Sequence, residues 1–341
     1  MLVVRLMIAL LVGIALLAGI AVSIGRTFSG TRLTYESDRT GDFELYAYDA
    51  EQGLSYNLTH NPGGDTDAAW SPNGEQLAFV SWRDGERQLF LLTISPPSLI
   101  KLGTHKVAPG YHPVWSPDGT QIVFEVERGG SIDLYIVDIN APLVQNVNPR
   151  ALTDEPTDSR FPAWSPDGIE IAFVSWYTGD AEIFTMHPDG TNVINRTANP
   201  GWDINPSYSP DGTRIAFFSV RDGGYREVYV MGRDGSNPRR LSVSSAINSG
   251  AFWNPPVWSP DSESLIYPTT LSTGAYMVFV EVNAGHRARL PFTAVIMAPE
   301  LWLSSGIVFS ERQGDQWNIW QTQGNESRRL LVEGRFPVWW R

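Results

Sequence analysis

An all-β fold, a seven-bladed β-propeller of four-stranded antiparallel blades, is what this 341-residue sequence predicts, and three observations carry the prediction. An aromatic residue followed by Ser-Pro-Asp or Ser-Pro-Asn recurs at Trp70, Trp115, Trp164, Tyr208 and Trp258, at spacings of 45, 49, 44 and 50 residues. Each copy is followed by two runs in which apolar and polar side chains largely alternate, as half-buried strands require. The repeats begin with an incomplete copy and end with a lone strand, so the two ends together make one blade.

Ahead of the repeats, residues 6–25 (LMIALLVGIALLAGIAVSIG) carry no charge over 20 residues. At about 1.5 Å per residue such a helix spans roughly 30 Å, the hydrocarbon thickness of a bilayer. The run reads as a membrane anchor. A cleaved export signal is the alternative, because Arg5 precedes the run and Ala21-Val22-Ser23 fits a small-x-small cleavage site. Residues 1–30 are therefore expected to form the anchor or signal with a short linker, and residues 31–341 the propeller domain.

Strands are expected at 33–37, 44–50 and 56–59 before the first tryptophan motif. After each aromatic Ser-Pro motif, one strand is expected at 77–82, 122–127, 171–176, 215–220, 265–270 and 307–312. A second follows at 89–94, 134–139, 183–187, 228–233, 277–282 and 318–321. A third run often ends in Leu-Thr or Leu-Ser, as at Leu152-Thr153 and Leu241-Ser242. In the Ser-Pro-Asp-Gly turn, proline presets φ, the aspartate bonds nearby amides, and glycine takes the left-handed conformation. A degraded copy at Trp302 lies 44 residues after Trp258, and Trp339 falls in register 37 residues later, with the last strand at 336–340. Dividing about 310 residues by seven gives about 44 per blade, the observed period. Six blades, the alternative count, leaves a full set of strands unassigned.

Composition narrows function. The chain has 25 basic and 37 acidic residues, a formal charge of -12, and such a surface repels phosphate, which argues against a nucleic-acid partner. Cysteine is absent, which removes disulfides, thiol nucleophiles and thiolate metal sites. There is no EF-hand loop, HExxH, Walker A loop, GxGxxG or Gly-x-Ser-x-Gly elbow. The acid of each turn lacks a second oxygen ligand two residues away, so it reads as turn chemistry rather than a calcium site. No cofactor and no metal site is expected. The recurrent tryptophans hold one repeat phase and read as packing between blades rather than as sugar-stacking platforms.

The repeat Pro-x-Trp-Ser-Pro-Asp-Gly-x-x-Ile-x-Phe-x-Ser, followed by Glu-Ile-Phe, resembles the TolB-type, WD-repeat-like propeller repeat. Its best copies here are Pro162 to Trp176 with Glu182 to Phe184, and Pro206 to Ser219 with Glu227 to Tyr229. The resemblance covers residues 32 to 341 and is to the propeller part only. It implies a propeller held outside the cytoplasm that binds a protein or peptide.

Two loop sets share one face of such a propeller and converge on the mouth of its central channel. One leads from the outer strand of a blade to the inner strand of the next, and offers His112, Arg160, Asp203, Asn205, Trp253, Asn254 and Arg335. The other joins each blade's middle strands, and offers Arg83, Asp84, Tyr177, Arg221, Asp222 and Arg312. The expected function is therefore a membrane-tethered, non-catalytic binding or scaffold module outside the cytoplasm. Two alternatives stay open: a polysaccharide lyase or hydrolase using His112 and Arg160, and a sensory ectodomain for a small ligand.

Overall fold

The computed structural model describes residues 32–49, 52–103, 105–108, 113–139, 149–242, 254–271, 274–290, 296–303, 306–313, 316–323, 326–332 and 334–340. The apolar run at 6–25 lies outside the described residues, as do His112 and Trp253. No helix among the described residues is long and apolar enough to cross a membrane.

The strands fall into seven four-stranded antiparallel sheets, here called blades. Blade 1 contains β1 (Arg32–Ser37), β2 (Glu44–Asp49) and β3 (Leu54–Asn57). Blade 2 is β4 (Asp65–Trp70), β5 (Gln76–Ser81), β6 (Gln88–Thr93) and β7 (Ser98–Lys101). Blade 3 is β8 (Val114–Trp115), β9 (Gln121–Arg128), β10 (Ser131–Asp138) and β11 (Arg150–Ala151). Blade 4 is β12 (Ser159–Trp164), β13 (Ile171–Ser175), β14 (Glu182–Met186) and β15 (Ile194–Asn195). Blade 5 is β16 (Asp203–Tyr208), β17 (Arg214–Ser219), β18 (Glu227–Gly232) and β19 (Arg239–Arg240). Blade 6 is β20 (Val257–Trp258), β21 (Ser264–Leu271), β22 (Gly274–Glu281) and β23 (Arg287–Arg289). Blade 7 is β24 (Ile296–Leu303), β25 (Gly306–Gln313), β26 (Gln316–Gln323) and β27 (Glu326–Val332). The final strand, β28 (Arg335–Trp340), returns to blade 1 and pairs antiparallel with β1, Leu33 opposite Trp339.

The turn chemistry explains the repeat. In blade 4, the Ser165 hydroxyl donates to Asp167 Oδ1 at 2.6 Å, the Gly168 N–H reaches Ser165 O at 2.9 Å, and the Glu170 N–H closes on Ser165 Oγ at 2.9 Å. Gly168 sits at φ +71°, a conformation that a Cβ disfavours. Blade 6 places Ser262 at the equivalent position with φ 64°. Its hydroxyl accepts the Asp211 N–H of blade 5 at 3.0 Å, a cross-blade bond that offsets the strain.

The tryptophans tie one inner strand to another. The indole N–H of Trp115 donates to Ala69 O, that of Trp164 to Val114 O and that of Trp258 to Ser207 O, at 2.9, 3.2 and 3.1 Å, each time reaching the preceding blade. The apolar core lies between the sheets rather than inside any one of them. Ala78, Val80, Leu89 and Leu91 of blade 2 pack with Trp115, Ile122 and Phe124 of blade 3. The same layering runs on round to Val308 and Ile319 of blade 7, which pack with Leu33, Tyr35, Tyr46 and Tyr48 of blade 1.

In blades 1, 4 and 5 a hydroxyl just after the outermost strand (Thr59, Thr197 and Ser242) pairs with the acid that opens the third strand. The Thr197 hydroxyl donates to Glu182 and accepts the Ile183 N–H at 3.0 Å, while Glu182 Oε1 accepts the Asn199 N–H at 3.0 Å. Ser242 does the same for Glu227 and Val228, and Thr59 for Glu44 and Leu45. This clasp holds the outermost strand, which has only two paired positions in blades 4 and 5.

Candidate functional site

The two loop sets adjoin along one face. The Trp82 N–H of the β5–β6 hairpin donates to Gly64 O in the segment entering β4, and the Val220 N–H donates to Trp202 O in the same way. Neighbouring blades are tied here as well: Asp65 N–H reaches Phe43 O of the β1–β2 hairpin, and Asp203 N–H reaches Ala181 O, both at 2.7 Å. Hairpins and entry segments thus form one hydrogen-bonded belt.

A guanidinium recurs in this belt. Arg83 donates through Nε to Ser81 Oγ at 2.8 Å and through Nη2 to both oxygens of Asp65, 3.2 and 3.1 Å away, with its plane over Phe79 and Phe90. Arg221 repeats the pattern with Ser219 Oγ at 2.9 Å, Asp203 Oδ2 at 2.9 Å, and the rings of Phe217 and Tyr229. Asp65 and Asp203 are fully buried. Burial pushes the Asp65 carboxyl up to about 6 against the opposing pull of Arg83.

A second carboxylate device occurs one strand inward. The inner strands β4, β12 and β16 each carry a register shift, and Asp67, Phe161 and Asn205 at those bulges have φ of 53°, 56° and 55°. A bulge frees a backbone N–H from the ladder. Glu125 of blade 3 accepts the Phe161 N–H at 2.7 Å and Arg160 Nε at 3.1 Å; Glu36 of blade 1 accepts the Asp67 N–H at 2.8 Å and Arg335 Nε at 3.1 Å. Both glutamates are buried. Desolvation pushes Glu125 up to about 7, opposed by Arg160; it pushes Glu36 up to about 8, helped by the Asp67 charge and opposed by Arg335.

The residues singled out from sequence therefore separate into two sets. Arg83, Arg160, Arg221 and Asp203 are engaged in ion pairs that shape the face. Asn205 is buried within its bulge. Asp84 accepts Lys101 Nζ at 2.8 Å, and Asp222 accepts the Tyr229 hydroxyl and Arg240 Nη1. Tyr177 is open to solvent at 62%, and Asn254 is half-buried. Among the described residues, no group of three His, Asp or Glu side chains is placed to hold a metal ion.

Three features of this face escaped the sequence reading. Trp202 in the segment entering blade 5, Tyr225 in the blade 5 hairpin and Trp82 in the blade 2 hairpin are exposed. Arg39 occupies the Arg83 position in blade 1, a match that the shared Ser-x-Arg spacing of Ser37-Asp-Arg39 and Ser81-Trp-Arg83 carries. A cavity of about 370 Å³ opens beside it, walled by Phe43, Trp317 and Arg335.

The fold and its belt of loops define a β-propeller of four-stranded antiparallel blades. Its repeat is of the TolB type: the TolB beta propeller domain family (PD40) matches residues 144–256. A curated relative, the TolB homolog of Chlorobaculum tepidum, is 28% identical over 90 residues, which cover 26% of this chain and 21% of that protein. Among solved structures, TolB from Acinetobacter baumannii superposes with a TM-score of 0.57 at 19% identity, over 92% of this chain and 67% of that one. Oligogalacturonate lyase from Vibrio parahaemolyticus superposes with a TM-score of 0.63 at 12% identity, over 88% and 84%. At these identities the superpositions show a shared fold.

Proposed function

We propose that the chain is a membrane-tethered propeller outside the cytoplasm that binds a protein or peptide partner, without catalysis, on the face formed by the hairpin and entry loops. Residues 1–30 are the tether and residues 31–341 the binding domain. The observation that carries the reading is that four aromatic side chains on these hairpin and entry loops are open to solvent: Trp82, Tyr177, Trp202 and Tyr225 are between 37% and 62% exposed. Tyrosine and tryptophan dominate the energetically important centres of protein interfaces, and soluble chains rarely leave several of them exposed on one side without use. The TolB-type repeat shared with the curated relative supports a binding role; the superpositions, which include a lyase, bear on the fold alone. Arg83, Arg160 and Arg221 act here as positioning groups, and Asp84, Asp222 and Asn254 as polar rim.

Site-specific incorporation of a photocrosslinking phenylalanine at Tyr177, in membranes of the native cell, tests the face. The expected result is a discrete adduct, and its loss when the same crosslinker at position 177 is combined with Trp202→Ser and Tyr225→Ser. Capture of the same adduct with Trp202→Ser and Tyr225→Ser in place refutes the assignment. Alkaline extraction tests the tether separately: full-length chain in the supernatant overturns it.

A further inference from the structure

Blades 1, 2 and 5 carry an arginine at the same position, half-buried in blades 2 and 5 and exposed in blade 1, and of the three only Arg39 in blade 1 lacks its counter-charge. Arg39 donates through Nε to Ser37 Oγ at 3.0 Å and lies over Tyr35 and Tyr46, as Arg83 and Arg221 lie over their ring pairs. In blades 2 and 5 the next ligand is the carboxylate 18 residues upstream, Asp65 or Asp203. In blade 1 the chain reaches that position from the other end, through β28, and the residue there is Gly334. A Cβ on Gly334 would fall 2.5 Å from Tyr35 Cδ2, so no side-chain carboxylate can be installed. The Tyr35 hydroxyl, which is neutral, takes Arg39 Nη2 instead at 2.7 Å. No carboxylate among the described residues lies within ion-pair distance of Arg39.

A guanidinium has five N–H donors, and two of those of Arg39 are occupied by Ser37 and Tyr35. The remaining three lie at a cavity that Arg39 lines. That cavity, about 370 Å³, is also bordered by the Arg335 guanidinium, which stacks 3.6 Å from the centre of the Phe43 ring, by Trp317, and by two carboxylates: Glu36, which pairs with Arg335, and the exposed Asp38, which makes no ion pair with Arg39. Arg335 is itself paired with Glu36 and stays with that partner, so Arg39 is the group that meets the ligand's charge. A guanidinium with open donors and no carboxylate partner, set against the aromatic walls of Phe43 and Trp317, makes a receptor for an anion with an apolar body.

We propose that the cavity between blades 7 and 1 binds a carboxylate ligand, whose charged group takes on Arg39 the role that Asp65 and Asp203 play on Arg83 and Arg221. The apolar part of the ligand lies against Phe43 and Trp317. The carboxylate belongs either to a small aromatic acid or to the C-terminus of a peptide. This site does not depend on the aromatic face of blades 4 and 5 being an interface.

Calorimetric titration of the full chain in detergent tests it with four probes: phenylacetate, phenylacetamide, a decapeptide ending in phenylalanine with a free carboxylate, and the same peptide amidated. The acids are expected to bind and the amides not to. Tighter binding of phenylacetate identifies a small-acid site, and tighter binding of the free-acid peptide a chain-terminus site. Arg39→Gln should weaken the acid by about tenfold or more, the worth of a hydrogen bond to a charged group, with Arg39→Lys recovering part of the loss. Raising salt on the unaltered protein should weaken binding too, which keeps the proposal testable if a variant fails to fold. Equal binding of acid and amide, salt-independent affinity, or unchanged affinity in a folded Arg39→Gln chain overturns the proposal.

Discussion

Replacing Arg221 with methionine keeps most of the apolar stem that lies across Phe217 and Tyr229 and removes the charge that faces Asp203. The carboxylate it leaves is fully buried, with Asn199 Nδ2 at 2.5 Å as its remaining side-chain donor. At 2.9 Å separation and an effective dielectric of about 20, the lost attraction is roughly 6 kcal/mol before solvation is counted. Removing one partner of a buried pair costs about 3–5 kcal/mol in practice, and the stem and rings that remain place Arg221→Met near the lower end, about 3 kcal/mol. Urea unfolding at neutral pH reads this directly, and Asp203→Asn with its double variant completes a thermodynamic cycle. The double variant should be more stable than Arg221→Met alone, because the uncompensated charge is gone. Arg39→Met is the internal comparison. It breaks the same stacking with no carboxylate left behind, and should cost about 1 kcal/mol. Equal losses at Arg221 and Arg39, or a coupling between Arg221 and Asp203 below about 0.5 kcal/mol, would refute the reasoning.

Other outcomes follow from the same geometry. Trp164→Phe removes the indole donor to Val114 O and should cost about 1 kcal/mol in urea unfolding, with capture through Tyr177 unchanged. Thr197→Val takes a hydroxyl from the buried Glu182 carboxylate and the Ile183 N–H, and should cost about 1–3 kcal/mol and raise hydrogen exchange in β15 before the rest of blade 4. Burial raises Glu125 from 4.5 to about 7, so the folded chain holds that proton more tightly than the unfolded chain. Its contribution is full below about pH 4.5 and is lost as pH rises through about 7, a change of roughly 3 kcal/mol. Glu125→Gln should flatten the fall in stability between pH 5 and pH 8, and an unchanged slope counts against the burial argument.

The recurring turn was legible in sequence because its chemistry is local: Ser165, Asp167 and Gly168 satisfy one another within a few residues. The tryptophans were legible through spacing, and their indole bonds to the preceding blade give the spacing its cause. What lay beyond sequence was non-local. Arg83, Arg160 and Arg221 read as a charged binding surface, yet their partners Asp65, Glu125 and Asp203 lie 18 or 35 residues away, on strands whose register the sequence does not state. The Leu-Thr endings were visible as a repeat, and Glu-Ile-Phe was visible as another. That Thr197 clasps Glu182 needs the pairing of β14 with β15. Arg39 was missed although it shares the Ser-x-Arg spacing, because its difference from Arg83 lies in Gly334, which reaches blade 1 only when β28 pairs with β1.

That last pairing sets a timing problem for the nascent chain. Arg32 and Trp340 stand opposite each other in one sheet, although nearly the whole repeat region separates them in synthesis order. At about 5–20 residues per second, β1 leaves the ribosome on the order of tens of seconds before its neighbour exists. During that interval one edge of β1 offers unpaired amides and carbonyls to any other extended segment, including the early blades of a second nascent copy. Long-range closure of this kind slows folding, and it makes the first blade, which is synthesised earliest, the last to be completed.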